Sequence, residues 1–232
     1  MCGIIGFIGR SSNSFLSNYL VSSLLFQSEI RGKDACGFYA IGHELLFYKN
    51  NIPPSEMVAS PEWHNIKYIN PYLFIGHARA ATSGIPHYNK NNQPFVNDDL
   101  SLVHNGRVNE YNCLRDEYQL ESDCDSEVLL KIYKKNRNIC DVLNSVTGPS
   151  AFAIASANRL LLFRNAGRPL WLIDLRKHLN QIFFCSTQEI WLKCGLNLDV
   201  DSFCIGENEL WSLSLEENVI VKKFIINYNI LN

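Results

Sequence analysis

Several things are missing from this sequence, and each absence closes a route. There is no basic excess: 21 Lys and Arg stand against 23 Asp and Glu, a formal charge of -2. A protein that grips nucleic acid by neutralising phosphates carries surplus positive charge, so no nucleic-acid partner is expected. Long apolar runs are absent too. Leu160-Leu161-Leu162-Phe163 falls far short of the ~20 residues a membrane-spanning helix needs, so no membrane partner is expected. The N-terminal stretch has no basic segment and is broken by Gly3, Gly6 and Gly9, unlike a secretory signal. No repeat, low-complexity tract or long linker interrupts the chain. The eight cysteines, at positions 2, 36, 113, 124, 140, 185, 194 and 204, contain no C-x-x-C pair, which argues against a zinc ribbon or a thioredoxin-like centre. The chain length and the lack of a secretory segment argue against a disulfide framework, so reduced thiols and a cytoplasmic location are expected.

What is present reads as an ordinary globular domain. Of 232 residues, 47% are hydrophobic and 19% charged, enough apolar material for a real core and compatible with one domain over 1–232. Short apolar runs bounded by Gly, Pro, Asn or Asp predict strands at 4–8, 38–41, 45–49, 72–76, 101–103, 151–155, 160–164, 170–174, 181–185, 209–215 and 219–224. One-sided apolar stripes predict helices at 14–30, 108–118, 125–135 and 138–146, the last with Asn138 as N-cap and Gly148 as a stop. Runs of strands with helices between blocks point to an α+β layered fold.

Cys2 stands apart from the other thiols. A small residue after the initiator allows Met1 to be removed, which would leave Cys2 with a free α-amino group. That group titrates near 7.7–8.0 and can serve as general base for the thiol of its own residue. Further along, Arg79 follows a strand on a Gly-containing loop and can offer its planar fork to a carboxylate. His104-Asn105-Gly106 ends another strand. An Asn amide and the N–H of a following Gly are suitable donors for a developing oxyanion. Asp123 and Asp125 precede a helix, where a carboxylate ordinarily caps or complements the dipole; that role is expected for Asp123.

Taken together, Cys2-Gly3-Ile4, Arg31-Gly32-Lys33-Asp34-Ala35-Cys36-Gly37, the 77–84 segment, Val103-His104-Asn105-Gly106 and Asp125-Ser126-Glu127 resemble the glutaminase domain of class II glutamine amidotransferases. These are a branch of the N-terminal-nucleophile hydrolases, and the likeness is nearest to the glucosamine-6-phosphate synthase type. Lesser echoes at 148–152, 164–169 and Cys185-Ser186-Thr187 extend it over nearly the whole chain. The resemblance implies a four-layer αββα sandwich with two mainly antiparallel sheets between helical layers.

It also implies roles. Cys2 would attack the side-chain amide of L-glutamine to give a γ-glutamyl thioester and ammonia. Asn105 and Gly106 would form the oxyanion hole. Arg79 would hold the substrate carboxylate, Asp125 its ammonium, and Thr82 would line the pocket. Arg31 and Gly32 would support the N-terminal segment, or else form a structural turn with an Arg31–Asp34 ion pair. His77 and His104 would sit at strand ends in a hydrogen-bond network. No cofactor or metal is implied. The family usually carries Trp where this chain has Ala80 and often His where it has Ser83, which bears on loop closure. The 83–92 loop is the candidate lid. With no segment recognisable as an acceptor domain, the expected role is a stand-alone subunit that supplies ammonia to a separate synthase or ligase. A free hydrolase of γ-glutamyl amides or peptides, or a non-catalytic binding module of the same fold, remain alternatives.

Overall fold

The computed structural model describes residues 1–232 except 109–110, 147, 197, 217 and 227–232. In chain order its strands are β1 (Gly3–Ile8), β2 (Ala35–Ile41), β3 (Leu45–Asn50), β4 (Leu73–Arg79), β5 (Phe95–Asn97), β6 (Leu100–Gly106) and β7 (Ser150–Ser156). They continue as β8 (Arg159–Arg164), β9 (Trp171–Leu175), β10 (Gln181–Cys185), β11 (Asp201–Cys204), β12 (Glu209–Leu215) and β13 (Val219–Ile225). The helices are α1 (Ser14–Gln27), α2 (Pro54–Ala59), α3 (Pro61–His64), α4 (Ile66–Ile69), α5 (Tyr111–Glu117), α6 (Glu127–Asn136), α7 (Ile139–Ser145), α8 (Arg176–Leu179) and α9 (Gln188–Leu192).

The strands form two antiparallel sheets. One runs β11-β9-β10-β1-β4-β2-β3, the other β13-β12-β8-β7-β6-β5. The period-2 geometry of a strand explains the layering. In β1, Ile4 and Ile8 face inward, packing with Tyr39, Ile75, Val103, Leu162 and Phe184 between the sheets. Ile5 and Phe7 face outward and pack with Leu20, Val21, Leu24 and Leu25 of α1. The second sheet repeats the pattern. Ala151, Ala153 and Ala155 line its inner face, while Phe152, Ile154, Leu161 and Phe163 pack outward with Val128, Leu129 and Ile132 of α6 and Val142 and Leu143 of α7. Two sheets each covered on both faces make the αββα sandwich. Continuous apolar runs such as Gly3–Ile8 follow from that double burial.

The predicted elements are present with shifted ends. The helix expected at 14–30 ends at Gln27, and Ser28–Ile30 tightens into a 3-10 turn. The helix expected at 108–118 is seen as Tyr111–Glu117, with 109–110 outside the described residues. The helix expected from 125 starts at Glu127, and the Asp125 carboxylate accepts a hydrogen bond from the Val108 backbone N–H at 2.7 Å. Asp123 does not cap it either; it pairs with Arg115 at 3.2 Å. Asn138 does cap α7, accepting from the Cys140 N–H at 3.1 Å.

Two boundary shifts matter for the site. The strand expected at 72–76 runs on to Arg79, held by pairing Ala35↔Arg79 and Gly3↔Ala78. The strand expected at 101–103 runs on to Gly106, held by Gly106↔Ser150. Arg79 and Asn105 are therefore strand residues, not loop residues, and inherit the rigidity of the ladder.

Candidate active site

Strand β1 lies inside the larger sheet, between β10 and β4, so Cys2 enters from a fully paired strand. Across the sandwich, β6 packs on both β1 and β4. His77 of β4 lies against the His104 backbone of β6. The C-terminal ends of β4 and β6 thus meet Cys2 at one end of the sandwich.

The Cys2 thiol is half-buried and donates to the Ala80 carbonyl oxygen at 3.5 Å. Burial pushes its pKa above the ordinary value. The Ala80 hydrogen bond and the positive charges of the Met1 amino group, Arg79 and Arg31 pull the other way. Arg31 Nε donates to the Cys2 carbonyl at 2.8 Å, and no Arg31–Asp34 ion pair occurs among the described residues. Asp34 instead accepts from the Ala81 N–H at 2.7 Å, while its own N–H donates to Arg79 O at 3.0 Å. Gly32 sits between these contacts, where a Cβ would come within 2.5 Å of the Arg79–Ala80 backbone. The 31–34 turn therefore holds Cys2 on one side and the end of β4 on the other.

Arg79 is buried. Its guanidinium donates to Asn92 Oδ1 at 2.7 Å, to Gly84 O at 2.9 Å and to Ser83 O. The Ser83 hydroxyl in turn donates to Asp125 Oδ1 at 3.3 Å. One residue therefore separates a buried cation from a buried carboxylate, the arrangement needed to read a zwitterionic head group. The 83–92 loop is tied to the site by these bonds and by the buried Asn91 and Asn92, leaving Ile85 and Tyr88 at its exposed tip. Thr82 is exposed and makes no side-chain hydrogen bond among the described residues.

Asn105 is buried, and its Nδ2 donor has no partner among the described residues. Such a group normally costs ~1–3 kcal/mol, and this donor is left free to meet an incoming oxygen. At Gly106 a Cβ would come within 2.7 Å of Pro149 O and Ser150 Oγ, so the position has no room for a larger residue.

The histidines differ from one another. His104 Nδ1 faces Ser126 Oγ at 2.8 Å, and its Nε2 faces Ser150 Oγ. Burial pulls its pKa down to about 4, with Asp125 opposing. His77 was expected in such a network, but neither ring nitrogen meets a side-chain partner among the described residues, and the ring lies against the His104 backbone. Burial and the Arg79 charge pull its pKa down to about 3, so its ring is neutral. The cause lies in its neighbours. His77 pairs with Ile4 and Gly37 on the flanking strands, which bring no polar side chain to the ring. Neither histidine hydrogen-bonds Cys2. Among the described residues, no group of three His, Cys, Asp or Glu has metal-holding geometry.

Sequence reasoning gave no role to Asn91, Asn92, Gln93 and Ser126, and paired Asp34 with Arg31 where it instead binds the Ala81 N–H. The run Asn91-Asn92-Gln93 was the available signal. Three consecutive amides in a loop can satisfy many backbone groups.

An αββα sandwich whose second residue is a cysteine beside the Arg79 and Arg31 cations fits the N-terminal-nucleophile hydrolase class. The glutamine amidotransferase domain model matches residues 77–193, and the chain belongs to that family. Among curated relatives, glutamine–fructose-6-phosphate aminotransferase (isomerizing) of Sulfurisphaera tokodaii is 30% identical over 188 residues, covering 73% of this chain and 31% of the relative. The enzyme of the same name from Helicobacter pylori is 28% identical over 229 residues, covering 93% and 36%. The chain thus spans about a third of the length of these relatives. Among solved structures, glutamine phosphoribosylpyrophosphate amidotransferase from B. subtilis superposes with a TM-score of 0.75 at 20% identity, covering 97% of this chain and 50% of that one, which shows a shared fold. No described helix is long and apolar enough to cross a membrane.

Proposed function

We propose that this chain hydrolyses the side-chain amide of L-glutamine through an N-terminal cysteine and supplies the ammonia to a separate synthase or ligase in the cytoplasm. The observation that supports the reading is the unpartnered, buried Asn105 amide near the end of β6, the strand that packs across the sandwich on β1 and β4.

The chemistry follows from the residues. Removal of Met1 frees the Cys2 α-amino group one residue nearer the thiol than the present N-terminus. The amine takes the thiol proton as sulfur attacks the amide carbon. Negative charge collects on the carbonyl oxygen, where Asn105 Nδ2 and the Gly106 N–H donate to it. The proton then passes to the departing nitrogen, the C–N bond breaks, and ammonia leaves a γ-glutamyl thioester. The same amine next activates water, which releases glutamate and restores the thiol. Arg79 and Asp125 hold the substrate's carboxylate and ammonium, so selectivity rests on the α-amino-acid head group. The rings of His77 and His104 do not contact the Cys2 thiol, which leaves the base role to the α-amino group.

Two measurements check this. Intact mass should show chains lacking Met1; full retention of Met1 in an active protein would sink the N-terminal mechanism. Initial rates on L-glutamine should exceed those on γ-glutamyl peptides. A clear preference for peptides would instead mark a free γ-glutamyl hydrolase.

A further inference from the structure

We propose that Gln93 is a positioning residue whose side-chain carboxamide sets Asn105 and Asp125 relative to one another. The inference rests on reading Asn105 as oxyanion donor and Asp125 as ammonium reader.

The strand register shows how. β5 pairs with β6 through Phe95↔Leu102, and continuing that ladder would place Gln93 opposite His104. β5 begins only at Phe95, however, and the Gln93 side chain takes the place of the preceding peptide. Its Oε1 accepts from the His104 N–H at 2.6 Å and its Nε2 donates to His104 O at 3.1 Å. A carboxamide offers the same donor and acceptor pair as a peptide group, so it can close the ladder. Unlike a peptide, it has a second N–H, and Nε2 also donates to Ser126 Oγ at 3.2 Å.

His104 immediately precedes Asn105, and Ser126 immediately follows Asp125. One buried side chain therefore joins the end of β6 to the turn before α6. The Gln93 backbone is itself fixed. Lys49 Nζ donates to the carbonyls on either side, Asn92 O at 2.6 Å and Pro94 O at 3.2 Å. A Cβ on Gly37 would come within 2.4 Å of Gln93 O, so β2 backs the segment closely. The Asn92 side chain binds Arg79. The three groups assigned to the substrate thus converge on residues 92 and 93.

The test compares wild type with Gln93→Met, which keeps side-chain length and removes every hydrogen bond. Gln93→Met should lower kcat on L-glutamine by about 100-fold, the scale of a 1 Å misplacement, and raise KM. Alkylation of Cys2 by iodoacetamide needs no oxyanion hole and should proceed at the wild-type rate. In an Asn105→Ala background, Gln93→Met should cost little further kcat, since the group it positions is gone. An undiminished cost in that background, or an unchanged kcat in the single variant, overturns the proposal. Amide exchange decides it independently of activity. Gln93→Met should speed exchange at His104 and also at Val108, whose N–H is bound by Asp125. Slow exchange at Val108 in the variant would overturn it. If Gln93→Met does not fold, Gln93→Glu serves, keeping the acceptor for His104 N–H and losing both donations. A wild type with no glutaminase activity would overturn the proposed function, while the Val108 exchange would still decide the position of Gln93.

Discussion

Asn105 shows how a single side chain reports on chemistry. A buried amide donor without a partner is a cost to the fold and a benefit only when a ligand oxygen arrives. Replacing it should barely change substrate affinity and should slow the chemical step. Asn105→Ala is expected to lower kcat for glutamine hydrolysis by ~100- to 1,000-fold with KM nearly unchanged, read from steady-state kinetics. The buried histidines make a second prediction, about pH. Folded pKa values of about 4 for His104 and about 3 for His77 lie below the ordinary 6.5. As pH falls below 6.5, the unfolded chain takes up protons first. The stability present above 6.5 is therefore lost between 6.5 and roughly those folded values. Thermal denaturation should show Tm falling over that interval. His77→Leu should shallow the fall, because it removes a ring that takes up a proton in the unfolded chain and stays neutral in the folded one. A steeper fall in His77→Leu would contradict this.

At the scale of elements, strands set the site and short helices fill in around it. α1 is fixed at its start by Asn13, whose side chain accepts from the Leu16 N–H at 3.0 Å. Asn13→Ala should cost about 1 kcal/mol in denaturant unfolding and leave glutaminase activity intact, since the cap lies outside the site. This scale also shows what the sequence makes legible. Runs such as Gly3–Ile8 and Gln181–Cys185 are apolar because both faces are covered, and they read directly as strands. β5 is three residues long, and β11 is a four-residue edge strand whose residues lie only half-buried or exposed, so neither carries a pattern. Helices α3 and α4, at four residues each, are too short for a helical period to show. The charged and amide residues assigned to substrate stand out through motif spacing. Gln93 does not, because its role depends on where a strand ends and on a register that only the folded ladder defines. His77 shows the opposite limit: its position was readable, but its lack of side-chain partners depends on neighbours from two other strands.

For the molecule as a whole, the two sheets serve different halves of the site. The larger sheet presents Cys2 and Arg79, and the smaller one presents Asn105 and Gly106. The 83–92 loop and the Asp125 turn link them. On the proposed mechanism, slippage between the sheets would separate nucleophile from oxyanion donors, so the inter-sheet core would serve catalysis as well as stability. All eight cysteines are free, and Cys36, Cys124, Cys185 and Cys194 are buried with thiol pKa values raised by desolvation. Those four are closed off from solvent, whereas Cys2 is half-buried beside Arg79 and, once Met1 is removed, would carry its own α-amino base. Ammonia release from L-glutamine by wild type and by Cys2→Ala tests the central claim most directly. The account predicts ammonia and glutamate in equal amounts from the wild type and none above background from Cys2→Ala. Equal release from both proteins would contradict it.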